Sequence, residues 1–206
     1  MQTGILLHDS LLYDWPRLRL LKEARLRQHA HVIWMCGLSG AGKSTLAARL
    51  DKKLLEYGYV SQVIDADVVR SGLNKGLGFS GEDRRENLRR VAELARLFMG
   101  CGIITIVSFI SPTHESRRTA RNIIGEQDFS EVFVSAPLEI CEQRDTKGLY
   151  KQAREGKISD FTGIGSPFEV PQNPDIEIMT NVLSVEEGMG KLLSYILPFI
   201  EFKEKV

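Results

Sequence analysis

Net charge is absent from this sequence: lysine plus arginine and aspartate plus glutamate each total 27. Such balance gives neither a nucleic-acid backbone nor an anionic membrane any bulk attraction, so an anion must be bound locally. Cysteine is scarce. Cys36, Cys101 and Cys141 form an odd set without metal-ligand spacing, and they read as buried structural thiols. No apolar run approaches the roughly 20 residues that span a bilayer. The opening MQTGILLHDSLL lacks the basic start and small-residue cleavage site of a secretion signal. A cytoplasmic chain is expected, with neither nucleic acid nor membrane as partner. Also missing are a Pro/Gly/Ser-rich linker, an internal repeat and a low-complexity tract. With 206 residues, 43% of them hydrophobic, a single sizeable core is expected.

What is present alternates between two periodicities. Apolar β-prone runs stand at VIWMC (32–36), IITIVSF (103–109) and VFV (132–134), with shorter candidates at VSQVID (60–65) and IEIM (176–179). Helical patterns fill 43–57, 82–100, 114–124, 137–144 and 184–202, and Ser80–Asp83 and Ser184–Glu187 fit capping boxes. Continuous apolar strands imply a sheet buried on both faces. Strand followed by helix, repeated, implies parallel strands with ligands at their carboxyl ends. The expected fold class is α/β: a doubly wound parallel sheet with helices on both faces.

The strongest motif is GLSGAGKST, formed by Gly37, Leu38, Ser39, Gly40, Ala41, Gly42, Lys43, Ser44 and Thr45. It fits G-x-x-x-x-G-K-[ST] and lies between a strand and a helix, where backbone amides can cradle phosphates. Lys43 is placed to reach the β- and γ-phosphates of ATP, and Ser44 to hold Mg²⁺. A guanine signature is missing, since Asn74-Lys75 is followed by Gly76-Leu77 without an aspartate. That leaves a kinase for a small acceptor. IDADVVR puts Asp65, Asp67 and Arg70 at the sheet's carboxyl edge, where one carboxylate can serve the metal and another the accepting hydroxyl. Either can also be a plain helix cap. In the next helix Leu88, Val91, Ala95 and Phe98 mark a core-facing stripe, and one turn earlier that stripe lands on Arg84 and Asn87. Arg85, Arg89 and Arg96 fall on a solvated side. Polar residues that interrupt a core face are site candidates.

Together, GLSGAGKST, DADVVRSGLNKGLGFSGEDRRENLRR, SFISP, CEQRDTKGLY and FTGIGSPFE closely resemble the adenylylsulfate kinase family, over about residues 31–180. The resemblance implies a P-loop kinase that transfers phosphate from Mg-ATP to the 3′-hydroxyl of adenosine 5′-phosphosulfate (APS), the small-molecule partner. It implies a mobile lid around 146–162 and a substrate site of Asp67, Arg70, Phe79, Arg84, Asn87, Ile110, Ser111, Lys147 and Phe161. Lys43, Asp67, Asp65 and Ser111 are the catalytic candidates, with Ser44 and Asp65 nearest the metal. Ser111 matches a serine described in the family as a phosphoserine intermediate; nothing in the neighbouring sequence identifies a base to activate it, so a substrate contact at a strand end is the preferred reading. Ala66, Gly165 and Phe168 depart from the family's usual glycine, aspartate and tyrosine.

Residues 1–30 read as a helical extension and 31–206 as the kinase domain. DWPRLRLLKEARLRQ suits an amphipathic helix packed on its own core or on a second copy of the chain. The alternative functions are a catalytically silent nucleotide-binding regulator and a kinase for another small acceptor.

Overall fold

The structure, a computed structural model, describes residues 14–203; residues 1–13, the first part of the expected extension, lie outside the described residues. Five parallel strands form one sheet: β1 (Val32–Cys36), β2 (Ser61–Asp65), β3 (Ile104–Ser108), β4 (Phe129–Ser135) and β5 (Ile176–Met179), in the order β2-β3-β1-β4-β5. The helices are α1 (Trp15–Leu26), α2 (Lys43–Glu56), α3 (Ala66–Ser71), α4 (Gly81–Gly100), α5 (His114–Ile124), α6 (Leu138–Arg144), α7 (Leu149–Arg154) and α8 (Val185–Ile200). The chain leaves β1 for one side of the sheet and later crosses to the other. The carboxyl end of β1 therefore sits where the winding reverses, the usual place for a ligand in such sheets.

The unbroken apolar run VIWMC follows from what covers it. Ile33 and Met35 join a core with Leu46 and Leu50 of α2 and Leu192 and Ile196 of α8. Val32 and Trp34 join a second core with Leu88, Val91 and Ala95 of α4. Alternate residues of one strand thus feed cores on opposite sheet faces. Among the described residues no helix is long and apolar enough to cross a membrane.

Some expectations need correction. β4 begins at Phe129 instead of residue 132, because Phe129 and Ser130 already pair with Val32 and Ile33. The six-residue helices α3 and α7 are too short to show a period. Ser184 forms a reciprocal capping box with Glu187, whereas Ser80 accepts from the Asp83 amide and returns its own hydroxyl proton to the Asp83 carboxylate. Cys36 and Cys141 are buried as expected, but Cys101, at the C-cap of α4, is exposed.

The first helix is held by charge more than by an apolar face. Its Leu18, Leu20 and Leu21 remain exposed, while Glu23 is only 2% exposed. Glu23 accepts from Arg19 Nε at 2.6 Å and from the Ala30 amide at 3.1 Å, and lies 3.0 Å from His29 Nδ1. Arg19 also forks onto Asp128 with bonds of 2.6 and 2.7 Å. Trp15 lies so close over Gly100 that a Cβ there would come within 2.7 Å of the indole ring. Arg19→Met strands two carboxylates, one of them buried, and is expected to lower the unfolding free energy by about 3 kcal/mol in urea titrations. A loss below about 1 kcal/mol would mean that the apolar contacts of α1 suffice.

Candidate active site

A cavity of about 700 Å³ opens at the carboxyl ends of the strands. Its first wall is the loop from Gly37 to Gly42, which runs from β1 into α2. Gly37 and Gly40 have φ of 146° and 76°; a Cβ at Gly37 would lie 2.2 Å from the Val134 carbonyl oxygen and one at Gly40 2.8 Å from that of Cys141. Only glycine fits so close to neighbouring backbone in those conformations. Lys43, buried beneath the loop, donates to the carbonyls of Gly37 (2.9 Å) and Leu38 (2.7 Å). The Ser39 carbonyl accepts from the Tyr150 hydroxyl (2.9 Å), that of Gly40 from Arg144 (3.1 Å) and that of Ala41 from the Thr180 hydroxyl (2.7 Å). With its carbonyls so engaged, the loop keeps amides available for an anion. Burial pushes the Lys43 ammonium down to about 8, so the lysine is placed to meet a negative charge that the neighbouring side chains do not supply.

The second wall gathers the arginines. Asp65 ends β2 and uses its carboxylate twice: one oxygen caps α3 through the Asp67 amide (3.0 Å), and the other accepts from the Ser44 hydroxyl (2.7 Å). The cap therefore coexists with a contact to the start of α2. Ser108, at the end of β3, brings its hydroxyl within 3.2 Å of that of Ser44. Asp67 forms an ion pair across the cavity mouth with Lys147. Phe79 is 63% exposed, with the Arg70 guanidinium 4.4 Å and that of Arg84 5.9 Å from its ring centre. Among the described residues neither arginine forms a salt bridge with a carboxylate, and burial lowers the pKa of both, with Arg84 adding to the effect at Arg70 and more distant carboxylates opposing it. Arg84 donates instead to the carbonyls of Phe79 (2.8 Å) and Asp160 (2.6 Å) and to the Thr162 hydroxyl (2.8 Å). By contrast Arg89 and Arg90 both pair with Glu86, and Arg96 with Glu93. The arginine-rich helix thus divides as its periodicity predicts.

Ser39, Gly40, Gly42, Lys43, Ser44, Thr45, Asp65, Asp67, Arg70, Phe79, Arg84, Ile110, Lys147 and Phe161 all line the cavity, whereas Gly37, Leu38 and Ala41 do not. Phe161 is only 8% exposed and meets Tyr150 edge-on with ring centres 5.0 Å apart, so most of the ring belongs to the core. Two candidates need correction. Asn87 stands behind the wall, buried, with its side-chain oxygen accepting from Asn74 (2.9 Å). Ser111 is 1% exposed and its hydroxyl accepts from Trp34 Nε1 (2.9 Å), so it is packed behind the cavity and does not line it. Sequence reasoning passed over Arg144, Thr180 and Ser108. Two of them mark strand ends: Ser108 closes β3, and Thr180 directly follows β5. A polar side chain at those positions was the available signal.

A family model described as Adenylylsulphate kinase matches residues 29–179. An adenylyl-sulfate kinase of Bacteroides thetaiotaomicron is 52% identical over 196 residues, 95% of this chain and 98% of its own. An APS kinase of Mycobacterium tuberculosis, solved in complex with AMPPNP and APS, aligns with a TM-score of 0.79 at 44% identity, covering 82% of this chain and 98% of that one. A hexameric APS kinase from Thiobacillus denitrificans aligns with a TM-score of 0.62 at 29% identity, over 82% of this chain and 29% of its own.

The two phenylalanines at the cavity should differ in what they hold together. Phe161→Ala is expected to cost about 3 kcal/mol of stability as a core truncation, and Phe79→Ala less than about 0.5 kcal/mol. Equal losses in urea melts would mean that Phe79 too is a packed anchor.

Proposed function

The chain belongs to the adenylylsulphate kinase family, and we propose that its cavity joins ATP on the glycine-rich loop to adenylyl sulfate held between Arg70, Arg84 and Phe79. As a member it is an ATP-dependent adenylyl-sulfate kinase. What carries the residue assignment is a pair of guanidinium groups without carboxylate partners, flanking an exposed aromatic ring across the cavity from a phosphate loop. Paired anionic oxygens suit the guanidinium fork, and a purine suits the exposed ring of Phe79.

In this reading Lys43 leaves its two carbonyl partners to meet the donor's phosphates, and the transfer depends on positioning and charge compensation. Asp67 gives up its exposed ion pair with Lys147, a contact of little net strength in water, and orients the 3′-hydroxyl or accepts its proton. Lys147 then faces anionic oxygens. The segment from Thr146 to Thr162 closes as a lid, tied to the acceptor wall through Arg84. Ser44, Asp65 and Ser108 offer hard oxygen donors at one edge. They fit Mg²⁺, which takes few protein ligands and completes its shell with water and phosphate oxygens; among the described residues no cluster of three or more His, Cys, Asp or Glu side chains offers a fuller cage. When bound, the ion would neutralise charge on the β- and γ-phosphates. We also assign residues 31–206 to the kinase domain, a cytoplasmic location to the chain, and a second copy of the chain as the partner of the exposed leucines of α1.

Release of ADP tests the acceptor. Adenylyl sulfate is expected to support turnover where sugar acids and other nucleotides do not, and Asp67→Asn is expected to lower kcat about 100-fold with KM little changed. Turnover with another acceptor alone would overturn the assignment. Lys43 gives a second, pH-dependent test. Held near 8 by burial, it is mostly neutral in the empty site at pH 9, and phosphate binding restores its charge. ATP binding at pH 9 should therefore take up nearly one proton, falling to a small fraction at pH 7, as read by calorimetry in buffers of different ionisation enthalpy. Uptake that does not change between these pH values would mean Lys43 is already charged before ATP arrives.

A further inference from the structure

The floor of the acceptor wall has an unusual backbone, and one buried side chain outside the cavity holds it. Ser111 adopts φ of 47°, a left-handed conformation that residues with a Cβ avoid unless their surroundings impose it. It follows Ile110, which lines the cavity and whose carbonyl accepts from the Gly37 amide of the phosphate loop (3.2 Å). The Ser111 carbonyl accepts from Arg117 Nη1 at 2.8 Å. Arg117 belongs to α5 and its side chain is 2% exposed. Its Nη2 donates to the carbonyl of Glu169 (2.8 Å) and lies 2.8 Å from His114 Nδ1. Its Nε faces Glu131 Oε1 of β4 at 3.0 Å.

Glu169 belongs to the stretch by which the chain returns from the lid. That stretch is fastened to the same loop twice more: the Glu169 amide donates to the Pro112 carbonyl (2.8 Å), and its carboxylate accepts from the His114 amide (2.6 Å). Phe168, one residue earlier, has its ring centre 5.9 Å from the Arg117 guanidinium. One guanidinium fork therefore spans the floor of the acceptor wall, the exit of the lid and a strand of the sheet. A rigid planar fork can hold two carbonyls in fixed relation, which a flexible ammonium cannot.

We propose that Arg117 is a positioning residue for the acceptor: by holding the Ser111 and Glu169 carbonyls together, it fixes the Ile110–Ser111 floor against the exit of the lid. The inference deepens the functional reading above and rests on it for the identity of the acceptor. Arg117 does not line the cavity, so its removal should act on the acceptor through the floor. The donor loop shares one bond with that floor, from the Gly37 amide to Ile110, but keeps the five carbonyl bonds from Lys43, Tyr150, Arg144 and Thr180, so ATP affinity should change far less.

Two variants test this. Arg117→Lys keeps a positive charge beside Glu131 but loses the fork. Arg117→Met combined with Glu131→Gln removes both charges together, so no buried carboxylate is stranded if the lysine variant folds poorly. In either, KM for adenylyl sulfate should rise about tenfold with KM for ATP within about twofold, and chymotrypsin should cut after Phe168 several-fold faster than in the wild type. Unchanged KM for adenylyl sulfate, or an equal rise in both KM values accompanying a lower Tm, would reduce Arg117 to a structural residue and overturn the proposal. Wild-type turnover of adenylyl sulfate is measured alongside. Its absence would sink the functional reading, while the Phe168 cleavage rate would still decide whether Arg117 fastens the lid's exit to the floor.

Discussion

The carbonyl oxygens of five consecutive loop residues, Gly37 to Ala41, are all held by side chains, and much of the molecule is arranged around holding them. A peptide unit whose carbonyl is fixed has its amide fixed as well, so engaging one face of the loop orients the other. The side chains that do this come from α2, α6, α7 and the residue after β5, segments spread over more than half of the chain. Tyr150 links two functions in this way. Its hydroxyl holds the Ser39 carbonyl while its ring supports Phe161, so the segment over the cavity and the phosphate loop share an anchor.

Charge is organised by the same economy of partners. The chain is neutral as a whole, and along α4 Arg89, Arg90 and Arg96 are neutralised locally by Glu86 and Glu93. Arg70 and Arg84 differ because they lie on the side of their helices that meets the cavity, where burial disfavours their charge by more than the nearby carboxylates, Asp67 and Asp83 for Arg70 and Asp160 for Arg84, favour it. Two such cations close together are unfavourable in an empty site and become favourable when an anion arrives. The stability given up at the site is of the kind that binding recovers.

Much of this was legible in the sequence, for a physical reason. β1 and β3 are buried throughout because both sheet faces are covered, and β1 is apolar without a break, so a strand buried on two sides announces itself without alternation. The split among the arginines was visible because helical spacing alone assigns Arg84 and Arg89 to different sides. α1 was harder to place, since its amphipathic pattern suggests an apolar docking face while the buried contact is Glu23, and no periodicity reports a carboxylate that will find a guanidinium more than a hundred residues from its neighbour Asp128. Ser111 and Asn87 show the opposite limit. Their positions near the site were correctly sensed from motif and period, but whether a side chain faces the cavity or the core depends on single backbone angles and on partners such as Trp34 and Asn74, which sequence spacing does not specify.

Donor and acceptor sites are joined by backbone as well as by side chains. The Gly37 amide, at the start of the phosphate loop, bonds to the Ile110 carbonyl two residues past the end of β3, while Asp65, at the end of neighbouring β2, bonds to Ser44 at the start of α2. Both links cross from the donor side to the acceptor side, and both start from strands fixed in register by the sheet, with Asp65 opposite Ser108 and Ser108 opposite Met35. In-line transfer tolerates little error in the separation of the two reacting oxygens. Here that separation is referred to the sheet itself, while the contacts that close over the cavity are made by side chains, such as the Asp67–Lys147 ion pair and the bonds from Arg84 to Asp160 and Thr162. A fold of this class can therefore open its cavity without losing the alignment that the reaction requires.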